Sequence, residues 1–205
     1  MYLSLIQNYL NPTSILDIGA NVGDFTKECK LTFPTAEYFL IEGNAACEPY
    51  LKNSGHNYFI GLLSDEPKIV KFYVNKNNLI STGNSIYREN TEHFSDENII
   101  IEELQTTTLD SVVGDKVYDL IKIDVQGAEL DVLRGGVVTV QEAKAIILEL
   151  SLIEYNKNSA SYEDVTQYME SIGYVPMEKL YEHFDGHGNL IQLDVLFLNR
   201  RHYDI

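Results

Sequence analysis

The chain has 205 residues, 44% of them hydrophobic and 22% charged, which supports one domain with a full core and excludes a disordered polymer. Its net charge of −16 repels nucleic-acid backbones and anionic lipid, so neither is expected as a partner. No apolar run approaches the roughly 20 residues of a membrane helix. No secretory leader is legible at the start, and Cys29 and Cys47 fall in no metal or redox spacing, so a cytoplasmic protein without membrane insertion is expected.

In chain order, IQNYL (6–10) closes a short amphipathic helix before Asn11-Pro12. SILDIG (14–19) reads as a buried strand, continuously apolar as parallel strands are. DFTKECKLTF (24–33) is a helix that Pro34 ends. EYFLIEG (37–43) is the second strand, and NAACEPYLKNS (44–54) a helix closed by Gly55. NYFIGLLSD (57–65) reads as a third strand and KIVKFYV (68–74) as a fourth, with strict alternation. Residues 75–105 form a long polar stretch without regular pattern, the place for a functional loop.

Order resumes at TTTLDSVVG (106–114), followed by the strand YDLIKIDV (118–125), Gly127 and the helix AELDVLRGG (128–136). AKAIILEL (143–150) is another buried strand, and SYEDVTQYMESIG (161–173) a helix with Ser161 as N-cap and Gly173 at its end. The closing segments YVPMEKLYEHF and LIQLDVLFLNR form a hairpin across DGHGN (185–189), which accounts for His183, Asp185 and His187 as turn chemistry. Alternating strands and helices predict an α/β domain over 1–205 with a mostly parallel sheet and an antiparallel C-terminal hairpin. Ligands of such sheets lie beyond the carboxyl ends of the strands.

The turn ILDIGANVGDF (15–25) places only Gly19 of a G-x-G-x-x-G fingerprint, with Asn21 and Asp24 at the other two glycine positions. What it offers is Asp17, Gly19, Asn21 and Gly23, an acid before a glycine turn with an amide inside it. That set suits a ligand bearing an ammonium and a sulfonium, as S-adenosylmethionine does. Glu42, followed by Asn44 at the end of the second strand, is placed to accept from both hydroxyls of a ribose. Ser64 and Asp65, ending the third, are placed for the adenine amino group. A nicotinamide-dependent oxidoreductase and a non-catalytic S-adenosylmethionine-binding protein are the alternatives to a transferase.

The segment DLIKIDVQGAELDVLRGG (119–136), with ILDIGANVGDF, LIEGN and LLSD, resembles the FkbM family of S-adenosylmethionine-dependent methyltransferases. Lys122-Ile123-Asp124-Val125-Gln126-Gly127-Ala128-Glu129 is similar to the family's K-I-D-V-E-G-A-E, with Gln126 where Glu is usual. Thr82-Gly83-Asn84-Ser85 looks like its serine-bearing loop, and TLDSVV (108–113) like its lead-in to the next strand. The resemblance runs from about residue 12 to 198. It implies a Rossmann-like, seven-stranded class I methyltransferase sheet and O-methylation of hydroxyls on sugars or natural products.

An alcohol is a poor nucleophile at neutral pH, so such a transfer uses a base within hydrogen-bond reach. Asp124 is the first candidate and Glu149, in the neighbouring strand, the second; Lys122 shares a face with Asp124 and can hold it ionised. Asn84, Ser85, Tyr87 and Arg88 are expected to bind the acceptor, with 75–105 as a substrate-side lid. Asp124, Glu129 and Glu149 carry oxygens a divalent metal accepts, but nothing in their spacing demands one, and no metal is expected. A start almost directly at the core is compatible with a module of a longer glycan-processing enzyme.

Overall fold

A computed structural model describes residues 3–205. The chain runs through α1 (Leu3–Ile6), β1 (Ser14–Ile18), α2 (Asp24–Thr32), β2 (Glu37–Glu42), α3 (Glu48–Ser54), β3 (Asn57–Ile60), β4 (Leu62–Leu63), β5 (Ile69–Asn75) and β6 (Ile99–Thr107). It continues with α4 (Leu109–Val113), β7 (Leu120–Ile123), α5 (Glu129–Gly135), α6 (Val137–Glu142), β8 (Ala145–Ser151), α7 (Tyr162–Ser171), β9 (Tyr174–Phe184) and β10 (Leu190–Asn199). Seven strands form one sheet in the order β3-β2-β1-β7-β8-β10-β9. Its first five strands are parallel, and β10 runs against both its neighbours. Among the described residues no helix is long and apolar enough to cross a membrane.

Strand alternation divides the core into two layers. Leu16, Ile18, Ile121, Ile123, Ile146 and Leu148 face α4–α7, packing on Leu109, Leu133, Val140 and Met169. Ile15, Leu40, Leu120 and Ile147 face α1–α3, packing on Leu3, Ile6, Cys29 and Leu51. On that second face the apolar rows give way toward the cleft to ionisable groups. Asp17 sits in register with Lys122, and Glu149 with Asp194.

Two expectations need correction. The run NYFIGLLSD is not one strand: it breaks at Gly61, leaving β3 in the main sheet and sending β4 into a second sheet of order β4-β6-β5. The run 68–74 forms β5 in that second sheet, paired antiparallel with β6. The stretch 75–105 is therefore not wholly irregular, because β6 begins inside it at Ile99. The start of α7 follows its sequence signals, since Ser161 forms a capping box with Asp164.

Candidate active site

The carboxyl ends of β1, β2 and β7 open onto one cleft, which offers about 950 Å³ of space shared in part with solvent, within the range of small-molecule sites. Gly19 follows β1 at φ 80 and comes so close to the end of β7 that a Cβ there would lie 1.7 Å from the Asp124 carbonyl oxygen. Asn21 (φ 47) and Gly23 (φ 82) keep the turn left-handed up to the start of α2. The result is a narrow turn whose Gly19 and Asn21 line the cleft, while Gly23 supports it from outside.

Glu42 lines the wall opposite. Its two carboxylate oxygens accept from the Asn21 and Asn44 amides, each at 2.7 Å. A carboxylate oxygen can take a second hydrogen bond, so Glu42 retains the capacity to grip two vicinal hydroxyls. Burial pushes its carboxyl above the ordinary range, against the pull of the two amides.

Asp124 forms the third side, its side chain 25% exposed. Lys122 Nζ reaches its Oδ2 at 2.5 Å and Gln126 Nε2 donates to its Oδ1 at 2.9 Å. Burial pushes the Asp124 carboxyl up, but the Lys122 ammonium outweighs it and holds the group below its ordinary value. Gln126 also donates to Glu149 Oε2. Burial first, then the Asp124 and Asp194 charges, drives the Glu149 carboxyl well above the ordinary range. The two carboxyls thus titrate apart, as acid and base of one site often do. Phe25 caps the ion pair, with Lys122 Nζ 5.2 Å from its ring centre.

Residues 79–86 form a roof tied to all three turns. Asn21 Nδ2 donates to the Ile80 carbonyl at 3.0 Å and Asn44 Nδ2 to that of Leu79 at 2.6 Å. Ser85 Oγ lies 2.8 Å from the Gln126 carbonyl and 3.0 Å from that of Val125. Asn84 and Ser85 line the cleft.

Other expected site residues stand elsewhere. Asp17 is fully buried beneath the turn, accepting from Thr26 at 2.6 Å; it faces Lys122, and its Oδ1 has no partner among the described residues. Asn44 stays off the cleft wall and anchors the Ala46 amide. Because the chain breaks at Gly61, Ser64 and Asp65 leave the cleft, and Asp65 pairs with Lys68 at 2.5 Å. Leu62 and Leu63 line the cleft in their place. Tyr87 turns to Asp131 at 2.8 Å, and Arg88 to the Phe94 carbonyl and Asp96. Glu149 lies one residue behind the wall, reached through Gln126.

The sequence reading also missed Phe25, Phe72, Leu62 and Gln126 as cleft-lining groups. Apolar lining looks like core in a sequence, and only Gln126 carries a local signal, as a polar residue just after the Asp124 strand end.

A family model described as the methyltransferase FkbM domain matches residues 17–176. No curated protein matches the chain. Among solved structures, the methyltransferase FkbM from Methylobacillus flagellatus KT superposes with a TM-score of 0.58 at 15% identity, over 94% of this chain and 47% of that one. The present chain therefore spans about half the length of that protein. A TehB-like SAM-dependent methyltransferase from Corynebacterium glutamicum ATCC 13032 Kitasato gives 0.53 at 12% identity, over 97% and 86% of the two chains. Precorrin-6y C5,15-methyltransferase from Geobacter metallireducens GS-15 gives 0.51 at 11%, over 97% and 85%. These likenesses show the shared class I methyltransferase sheet.

Proposed function

The chain belongs to the FkbM methyltransferase domain family, and from that premise we propose that it methylates a hydroxyl oxygen of a sugar, a glycan or a related natural product. S-adenosylmethionine is its cofactor. When bound, that donor supplies an electrophilic methyl group on a positively charged sulfur. The chain's own residues do the rest. Glu42 takes the ribose hydroxyls on the oxygen lone pairs its two amide bonds leave open. The Gly19–Asn21 turn receives the amino-acid end, and Leu62 and Phe72 offer the apolar surface for a flat base.

The observation that carries the reading is Asp124, an acid held ionised by Lys122 and opening into the cleft beside Glu42. An ionised carboxylate there accepts the proton that an acceptor hydroxyl releases as its oxygen attacks. Asn84 and Ser85 flank the same space and orient the acceptor. Tyr87 and Arg88 support this roof from behind through their own partners. Glu149 backs Asp124 through Gln126 rather than meeting the acceptor.

We read all 205 residues as one methyltransferase domain of the cytoplasm, with a small molecule or glycan as its acceptor. Its span of 47% of the FkbM neighbour suits a module of a longer glycan-processing enzyme. The test is incubation with a methyl-labelled donor and a panel of glycans, free sugars and hydroxylated natural products. Label recovered as a methyl ether, and lost by about 10²-fold or more in Asp124→Asn, fits general-base catalysis. Label on nitrogen or carbon, or a rate unchanged in that variant, sinks the reading.

A further inference from the structure

Behind the cleft wall, β8, β10 and β9 bring Glu149, Asp194 and His183 together, with one ligand-type atom of each within 4.8 Å of the others. The sequence hides this group, because the three residues are scattered over 46 positions of an antiparallel arrangement and His183 reads as part of a turn. Three features separate it from an ordinary polar cluster.

First, Glu149 and Asp194 stand directly opposite each other on paired antiparallel strands. Both are buried. Two carboxylates in that register repel if both are ionised; without a cation Glu149 keeps its proton, and a bound cation would displace that proton and hold both groups ionised. Lys122 is engaged with Asp124 at 2.5 Å.

Second, His183 Nε2 lies 3.3 Å from Asp194 Oδ1 and 3.5 Å from Glu149 Oε1. Charge-assisted hydrogen bonds of this type are about 2.7–2.9 Å long, and one ring nitrogen carries at most one hydrogen to share. Both contacts are long for that purpose. These two separations are close to the edges of a tetrahedral metal site, about 3.3–3.4 Å for bonds of about 2.0–2.1 Å, and the Glu149–Asp194 edge, within 4.8 Å, closes by side-chain rotation when an ion is bound.

Third, Glu149 is only 7% exposed, its Oε2 accepts from Gln126 and Gln192, and its carboxyl also hydrogen-bonds that of Asp124. Its Oε1 accepts none from the described residues and points at His183. The glutamine amides thereby fix the carboxylate as outer-sphere partners fix metal ligands.

We propose that Glu149, Asp194 and His183 bind a first-row divalent cation of the zinc or manganese type. One imidazole with two carboxylates is a mixed donor set that such ions accept. His183, with its side chain 32% exposed, gives the ion an entry from solvent and leaves a coordination position for water. The ion ties the β9–β10 hairpin to β8. Through Gln126 it also sets the position of Asp124. The site stands apart from the choice of methyl acceptor, and its binding is measured without donor or acceptor, so the two readings fail separately.

The experiment is titration of the chelator-treated protein with Zn²⁺ and with Mn²⁺ in a calorimeter, with Mn²⁺ also followed by electron paramagnetic resonance. One equivalent is expected to bind, weakened at least about tenfold in His183→Ala and in Asp194→Asn. His187→Ala, at an exposed turn position, binds as the unaltered protein does. Crystals of the unaltered protein soaked in zinc give a readout independent of folding defects, with anomalous signal expected between the three side chains. No binding up to millimolar ion, binding undiminished in both variants, or signal elsewhere overturns the site.

Discussion

Lys122 Nζ meets Asp124 Oδ2 at 2.5 Å, and the same ammonium stands in register with buried Asp17. One cation therefore serves two acids on one face of adjacent strands. It holds the cleft acid ionised and offsets the charge of the acid beneath the turn. In Lys122→Gln the Asp124 carboxyl loses the attraction that overcomes its burial. The acid limb of the pH–rate profile is expected to move up by about 1–2 units. Stability is expected to fall by about 3 kcal/mol, near the low end for breaking a buried pair, because Asp124 is 25% exposed. Lys122→Arg restores the charge and part of the profile. A limb that stays in place in Lys122→Gln excludes Asp124 as the titrating group.

Glu42 has two duties, and its substitutions separate them. Glu42→Ala removes the ribose acceptor and strands the Asn21 and Asn44 amides. Donor affinity is expected to fall by about 1–3 kcal/mol, with a lower melting temperature as well. Glu42→Gln keeps one carbonyl oxygen but turns an NH₂ toward the other amide, so it too weakens donor binding while preserving more of the fold. Calorimetry with S-adenosylmethionine reads both variants. Unaltered affinity in Glu42→Ala contradicts the ribose assignment.

Gly19 and Gly173 both have positive φ, 80 and 93, yet their surroundings differ. An alanine Cβ at Gly19 lies 1.7 Å from the Asp124 carbonyl oxygen, whereas one at Gly173 meets nothing within 4 Å. Gly173→Ala is expected to cost only the left-handed backbone penalty, about 1–2 kcal/mol. Gly19→Ala adds a backbone clash that must push β1 and β7 apart. Its urea midpoint should therefore drop well below that of Gly173→Ala, and donor binding should be lost with it. Equal midpoints for the two variants disprove the close contact.

How legible this site was depended on whether its chemistry lay within one local segment. Gly19, Glu42 and Asp124 each end an apolar run, so a sheet with ligands at its strand tips places them at once. Asp65 also ends an apolar run, but Gly61 diverts that run into a second sheet, and one glycine in a strand pattern does not announce such a change. The partner that draws it away, β6, starts in a stretch whose Glu102 and Glu103 interrupt the apolar pattern. Asp17 was recognised by its position, yet strand alternation points it at Lys122 beneath the turn rather than into the cleft. The meeting of Glu149 with Asp194 depends on the register of β10 on β8, a pairing across 45 positions that no local motif encodes.

Glu129 opens α5 and accepts from the Val125 and Gly127 amides at 3.0 and 3.1 Å. Burial nevertheless pushes its carboxyl up to about 7 from an ordinary 4.5, with the Asp124 charge adding to the effect. Between those values the folded protein holds a proton that the unfolded chain has released. The associated stability is fully present below about 4.5 and is lost as pH rises through about 7. Asp17 and Glu42 are raised in the same sense. Asp119, lowered to about 2, acts oppositely but only under stronger acid. Lowering the pH from about 8 to about 6 should thus stabilise the protein, with about 1 kcal/mol from Glu129 alone, or about 2–4 °C in Tm. Glu129→Gln keeps an acceptor for the two amides and removes the titration, so its Tm should vary less over the same window. A melting temperature that falls toward about pH 6, or a slope that the variant leaves unchanged, refutes the placement of this proton.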